Sequence, residues 1–301
     1  MPPCHFGDPE SCPAPGTMGR VPRRALLVAI ALMALLLAGC GVKGEPTGAV
    51  DPYPTRAIDA AGQTVVLQSA PTRIVSADPG ASAILRDLGL GTTLVEAGPA
   101  TVGPEAADPT TGLVVVPLAM DAVALQQLQA ATNAPIFRYG ADPLATAPTI
   151  VTQLGIAVGE GAKAATIARG MQSGLEALAE RVASETPVPT LIEGAGFTGY
   201  GPMSPVGRAV EAAGGRNVLA GDQPLDIAQL PSLGISAWVS LQPGGSTLAS
   251  LQSFPELAKV PALEENRVIP VPKGGYPIDA ALPGALQALA DDLHAAPVTT
   301  G

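Results

Sequence analysis

The chain has 301 residues, 47% of them apolar and only 14% charged, which predicts one large or two smaller globular domains. Its 16 Lys and Arg against 26 Asp and Glu give a net charge of −10 without a basic run, and this disfavours nucleic acid as a partner. The three cysteines, Cys4, Cys12 and Cys40, all precede residue 41, so no later segment can form an internal disulfide or a thiolate metal site.

Arg20, Arg23 and Arg24 precede an unbroken apolar run, Ala25 to Ala38, that ends in Gly39-Cys40. A basic start, a core too short for the ~20 residues of a membrane span and small residues at a cut site predict a signal peptide over residues 1–39. Residues 1–17 are unlike such a start, and Met18 is a credible true one. Leu37-Ala38-Gly39-Cys40 resembles a bacterial lipobox, which implies lipidation of Cys40 and an extracytoplasmic protein anchored to the bacterial cell membrane. Residues 40–55, rich in Gly, Pro and Thr, read as a flexible tether.

Beyond it, short apolar strands alternate with helices. Residues 56–67 and 73–77 are β-type, and Asp78-Pro79-Gly80 breaks the second run. Ser82 is placed to cap a helix carrying Ile84, Leu85 and Leu88, with Gly89 as its stop. Strands follow at 94–95 and 113–116, a helix at 119–131, a strand at 135–139 and a helix at 144–154. Residues 161–183 read as the longest helix, with Ile167, Met171, Leu175, Leu178 and Val182 forming one stripe. The alternation then restarts. It gives strands at 190–192, 237–241 and 268–271, a helix capped by Ser204-Pro205, one at 247–260 with a break near Pro255, and a last one at 279–295.

This order predicts two α/β lobes, residues 56–155 and 186–297, each with a mostly parallel sheet flanked by helices, joined by one long inter-lobe helix over 156–185. Ligands of such sheets sit beyond the carboxyl ends of the strands. The loops at 77–81, 96–101, 139–143, 194–203, 242–245 and 273–277 should therefore line a cleft.

At this level the chain resembles the iron-siderophore and cobalamin class of ABC-transporter substrate-binding proteins, whose lobes share a helical backbone. The similar stretches, in order, are Ile58-Asp59-Ala60-Ala61-Gly62 with Pro71-Thr72-Arg73-Ile74-Val75-Ser76, and Ala81-Ser82-Ala83-Ile84-Leu85 with Leu88-Gly89-Leu90-Gly91. After them come residues 152–182, Gly201-Pro202 through Ala213-Gly214-Gly215-Arg216-Asn217-Val218, and Val260-Pro261-Ala262-Leu263 with Asn266-Arg267-Val268. The resemblance implies a lipid-anchored receptor, a monomer without catalytic activity, that passes a metal chelate or corrinoid to an ABC permease. It also places Glu105 and Glu211 where each lobe offers a carboxylate to the permease, although either could be an ordinary surface glutamate. The family has a helix and a strand where this chain has only Asp108-Pro109-Thr110-Thr111-Gly112 and the strand after it, so the first lobe's half of the cleft should be reduced.

Residue chemistry narrows the ligand. Arg138, at a strand end, and Lys273 are the main cations near the predicted cleft, and the guanidinium fork of Arg138 suits oxygen ligands. So few cations favour a hydroxamate-like ferric siderophore over a catecholate, with cobalamin or haem next. Tyr139, Phe197, Tyr200 and Tyr276 fall in predicted cleft loops and suit an amphipathic ligand, although Phe197 could equally plug the core. Trp238, inside an apolar strand, reads as core. No cofactor and no direct protein–metal ligation are expected, because His294 is the only histidine after Cys40. The same count removes Ser-His-Asp and Cys-His catalysis. Gly194-Ala195-Gly196-Phe197-Thr198-Gly199 fits a dinucleotide motif, but no helix opens there and no acidic ribose partner follows. A nucleotide-dependent enzyme and a degenerate receptor-fold lipoprotein remain as rival readings.

Overall fold

The computed structural model describes residues 52–98, 100–272 and 274–296. The expected signal peptide, the Cys40 lipidation site, the tether up to residue 51 and Lys273 lie outside the described residues. A hairpin comes first, β1 (Thr55–Ile58) against β2 (Thr64–Leu67). The Asp59 carboxylate ties its turn by accepting the N–H groups of Ala61 and Gln63 at 3.0 and 2.8 Å.

Next come β3 (Ile74–Ser76), α1 (Pro79–Asp87), β4 (Leu94–Glu96), α2 (Val102–Ala106), β5 (Leu113–Pro117), α3 (Ala122–Ala131), β6 (Ile136–Tyr139) and α4 (Ala147–Ala157). The strands form an all-parallel sheet in the order β4-β3-β5-β6. The continuously apolar β5 lies inside it, buried on both faces, as such a run demands. Asp78, and not Ser82, caps α1. Its carboxylate accepts the Ala81 N–H at 2.9 Å, and Pro79 fills the first turn, where a missing N–H costs nothing. Ser82 lies inside the helix and donates to Ser76 Oγ at 2.9 Å. The segment after β4 holds the five-residue α2, and a turn at 107–112 leads from it into β5.

The long helix is α5 (Gly161–Val182). Met171 and Leu178 are buried as the stripe required, while Ile167, Leu175 and Val182 are half-buried against the same core. Ala164 and Ala168 lie equally deep, because α4 packs so close that only small side chains fit between the helices.

The second half runs β7 (Val188–Gly194), β8 (Thr198–Gly199), α6 (Pro205–Ala212), β9 (Gly215–Asn217), β10 (Gln223–Pro224), β11 (Ala237–Gln242), α7 (Leu248–Gln252), α8 (Pro261–Glu264), β12 (Val268–Pro272) and α9 (Leu282–His294). Its sheet has the order β10-β8-β7-β11-β12, with β9 parallel to β7 and the short β8 and β10 antiparallel. The helix expected over 247–260 is three pieces, α7, a single 3₁₀ turn at Pro255–Leu257 and α8, since Pro255 holds Phe254 extended. The last helix starts at Leu282 instead of Asp279, with Pro283 in its first turn.

Two separate sheets with α5 between them make the two-lobed α/β fold that the sequence predicts. α5 packs on α4 from the first half and on α9 and α6 from the second, so one apolar core runs through both lobes beneath it. Smaller cores fill the outer face of each sheet. Among the described residues no helix is long and apolar enough to cross a membrane.

Candidate functional site

The carboxyl ends of the two sheets meet directly. β6 ends in Tyr139, which is buried, and its hydroxyl donates to the carbonyl of Ile278, in the segment between β12 and α9, at 2.6 Å. The backbone of Ile278 also presses on Gly80 in the first turn of α1. A Cβ there would lie 2.7 Å from the Ile278 oxygen and 2.8 Å from its nitrogen, so only glycine fits. Beside this contact Asp142, from the loop after β6, pairs with Arg208 on α6. Burial, helped by the Asp78 and Asp279 carboxylates, holds the Tyr139 hydroxyl well above its usual range, which keeps it a donor.

A buried polar cluster closes the carboxyl end of the second sheet. Glu193, at the end of β7, accepts the backbone N–H of Ser246 at 2.7 Å and the hydroxyls of Ser246 and Ser240 at 3.3 and 3.4 Å. Burial raises the pKa of Glu193 above its usual 4.5 and that of Asp78 above 3.8, despite hydrogen bonds that oppose the shift. A folded-state pKa above the unfolded one means stability that is complete below the unfolded value and is lost as pH rises through the folded one. The contribution of these two groups to the thermal midpoint should therefore grow as pH falls toward 4, and the combined Asp78→Asn and Glu193→Gln variant should flatten that slope. An equal slope in the variant would disprove the assignment.

The predicted site residues are only partly gathered here. Tyr139 lies at the contact, but its hydroxyl is already engaged. Tyr276 belongs to the same segment as Ile278. Its ring packs half-buried on the main core, and burial, then Asp292, push its pKa up to about 12. Tyr200 is half-buried against the main core, and its carbonyl accepts the Asn217 side chain at 2.8 Å. Phe197 turns away into the second core, its ring centroid 6.3 Å from that of Trp238. It sits at φ 55° beside Gly196 at φ 70°, in the turn between β7 and antiparallel β8. The Gly194–Gly199 motif is thus a hairpin and lacks the strand-to-helix turn that cradles a pyrophosphate.

Arg138 lies on the α3 side of edge strand β6. Its guanidinium donates to the Leu118 carbonyl, and it lines a groove of about 550 Å³ with Asp59, Gln63, Leu125, Gln129 and Thr132. Glu105 pairs with Arg73 at the start of β3, with Asp108 3.5 Å from the same guanidinium. Glu211 is exposed on α6, opposite the face formed by Val206, Ala209 and Val210. A second groove, about 760 Å³, opens where α2 is short, lined by Ala77, Val102, Pro104, Pro117, Met120 and Leu128 among others. Among the described residues no three His, Cys, Asp or Glu side chains are placed to hold a metal ion.

Asp78, Gly80 and Asp142 fall in loops expected at the cleft, but their roles as cap, close contact and partner of Arg208, and the buried Glu193, were not foreseen. Asp78-Pro79 carried a readable signal, a cap followed by an N1 proline, and Glu193 stood out as a carboxylate in an apolar strand. The distant pairings carried none.

Neither a family model nor a curated protein matches the chain. Solved structures do. The chain is similar to the crystal structure of the heme-binding protein HmuT, with 18% identity over 82% of this chain and 92% of that one and a TM-score of 0.65. The periplasmic heme-binding protein RhuT from Roseiflexus sp. RS-1, in apo form, shows 21% identity over 74% and 98%, with a TM-score of 0.61. An ABC-transporter solute-binding protein from Sulfurospirillum deleyianum DSM 6946 shows 15% over 81% and 90%, at 0.64. All three are binding proteins, and at these identities the likeness establishes the shared two-lobed fold.

Proposed function

We propose that the chain is an extracytoplasmic solute receptor, without catalytic activity, that holds a metal chelate between its lobes and delivers it to an ABC permease. The observation that carries this reading is the convergence of the two sheets' carboxyl ends, which touch at Tyr139, Gly80 and Ile278 on a frame braced by α5. Ligands of open α/β sheets occupy that position. Lipidation at Cys40 would keep the receptor at the membrane, and Glu105 and Glu211 would meet the permease. Glu211 is the freer of the two, because Glu105 already pairs with Arg73.

A hydroxamate-type ferric siderophore remains our first choice of ligand. Arg208, the described arginine beside the inter-lobe contact, is engaged by Asp142, and Arg138 lies away on the α3 side of β6, which leaves little positive charge for a catecholate complex. Haem is the second reading, favoured by the likeness to two structures of heme-binding proteins. Cobalamin follows. A thermal-shift screen against ferrioxamine B, ferric enterobactin, haemin and cyanocobalamin tests the choice. A true ligand at 100 times its Kd adds ~2.7 kcal/mol, a rise of about 5–11 °C for a fold of this size. A flat response to all four, with a shift by NAD or NADP, would favour the enzyme reading instead.

A further inference from the structure

The segment 274–281, between β12 and α9, reaches from the second lobe onto the first. A single peptide of it, at Ile278, is gripped from two sides, by the Tyr139 hydroxyl at the end of β6 and by the bare backbone of Gly80 in α1. Its ties to its own lobe are slight. Gly275 N–H donates to Pro272 O at 2.7 Å, Asp279 N–H to Pro277 O at 3.0 Å, and the Asp279 carboxylate accepts the Ala281 N–H at 2.9 Å, while at its far end the Asp279 and Ala281 carbonyls accept the Leu282 and Ala285 N–H groups of α9 at 3.2 and 3.0 Å. No strand pairs with it. Only the half-buried side chains of Tyr276 and Ile278 reach the main core. At its base stand two adjacent glycines, Gly274 with open space where a side chain would be and Gly275 at φ 66°, a backbone free to turn. Between its two ends the segment is therefore held at Ile278 by the opposite lobe, directly across the carboxyl ends of β3 and β6.

We infer that residues 274–281 form a strap across the inter-lobe cleft, latched by the Tyr139 hydroxyl on the Ile278 carbonyl. On the receptor reading above, an entering ligand must displace it. The apparent affinity is then reduced by the fraction of molecules that are latched, and weakening the latch raises it.

Hydrogen exchange on the ligand-free full chain tests the latch independently of any ligand. Tyr139→Phe keeps the buried ring and removes the donor, while Gly80→Ala wedges the Ile278 peptide away. In both variants peptides covering 274–281 should exchange roughly tenfold faster, the factor that one lost buried hydrogen bond gives. Peptides from β5 and β7 should be unchanged, which shows that the fold is intact. Unaltered exchange of 274–281 in Tyr139→Phe overturns the proposal. Titration with haemin and with ferrioxamine B then separates the two readings. Tighter binding by Tyr139→Phe supports a latch, and weaker binding overturns it by making Tyr139 a ligand contact. Faster exchange without binding of either probe leaves the latch standing and removes its role in gating these chelates.

Discussion

Trp238→Ala should lower the thermal midpoint by about 6–20 °C, the equivalent of ~3–5 kcal/mol for emptying a large aromatic site in a fold of this size. Trp238 lies on β11, between β7 and β12, and is fully buried. Its ring fills a separate core on one face of the second sheet, among Leu191, Leu219, Leu230, Ile235 and Leu251, so the main core cannot repack into the space. The loss extends to Phe197, whose left-handed backbone, a strained conformation for a bulky residue, is held in place by ring packing on Trp238. The β7–β8 turn should loosen with it. Trp238→Phe retains a ring and should cost less than half as much. Calorimetry of the two variants decides, and a midpoint drop under about 3 °C for the alanine variant would show that the second core is not close-packed.

The elements that the sequence revealed were those whose cause is local. The stripe over 161–183 predicts α5, continuous apolarity predicts an interior β5, and Ser204-Pro205 predicts the start of α6, because periodicity, burial and capping act within a few residues. The break near Pro255 was equally local, whereas Pro283 moved the start of the last helix from Asp279 to Leu282 and Asp78 displaced Ser82 as the cap of α1. The candidate site was legible only as a set of loops. Those around Gly80 and Tyr139 do meet the second lobe, but at Ile278, one residue past the expected 273–277 loop, and nothing local to Tyr139 says that its hydroxyl is satisfied by a carbonyl 139 residues later. Arg138 was expected over the cleft, yet the alternation along β6 buries Phe137 and Tyr139 on the α4 side and sends Ile136 and Arg138 to the α3 side. Phe197 shows the same limit. The sequence allowed either cleft or core, and a partner 41 residues away in the chain, Trp238, decided for core.

Gly155→Val should destabilise the protein by ~3 kcal/mol, the upper end of the range for overpacking, because the added carbons meet helix and not a flexible side chain. Gly155 lies inside α4, and a Cβ there would overlap the Cβ of Ala164 on α5, with the Glu160 carbonyl 3.3 Å and the Ala164 Cα 3.4 Å away. Such contact between backbones lets α5 serve as a brace shared by both lobes. The two helices touch through Gly155 and Ala164, while the other side of α5 carries α9, where Gly174 faces Pro283 in the same close manner. Inserting bulk at Gly155 must therefore tilt α5 or expel α4, and either movement is passed on to the second lobe. Ala164→Gly alone should cost ~1 kcal/mol, the usual penalty of glycine inside a helix. Combined with Gly155→Val it should recover about half of the loss, since it removes the nearest overlapping atom. Denaturant unfolding of the three variants measures that coupling. Strictly additive losses would mean that α4 and α5 do not depend on this contact, and the brace between the lobes would then have to rest on α5 and α9 alone.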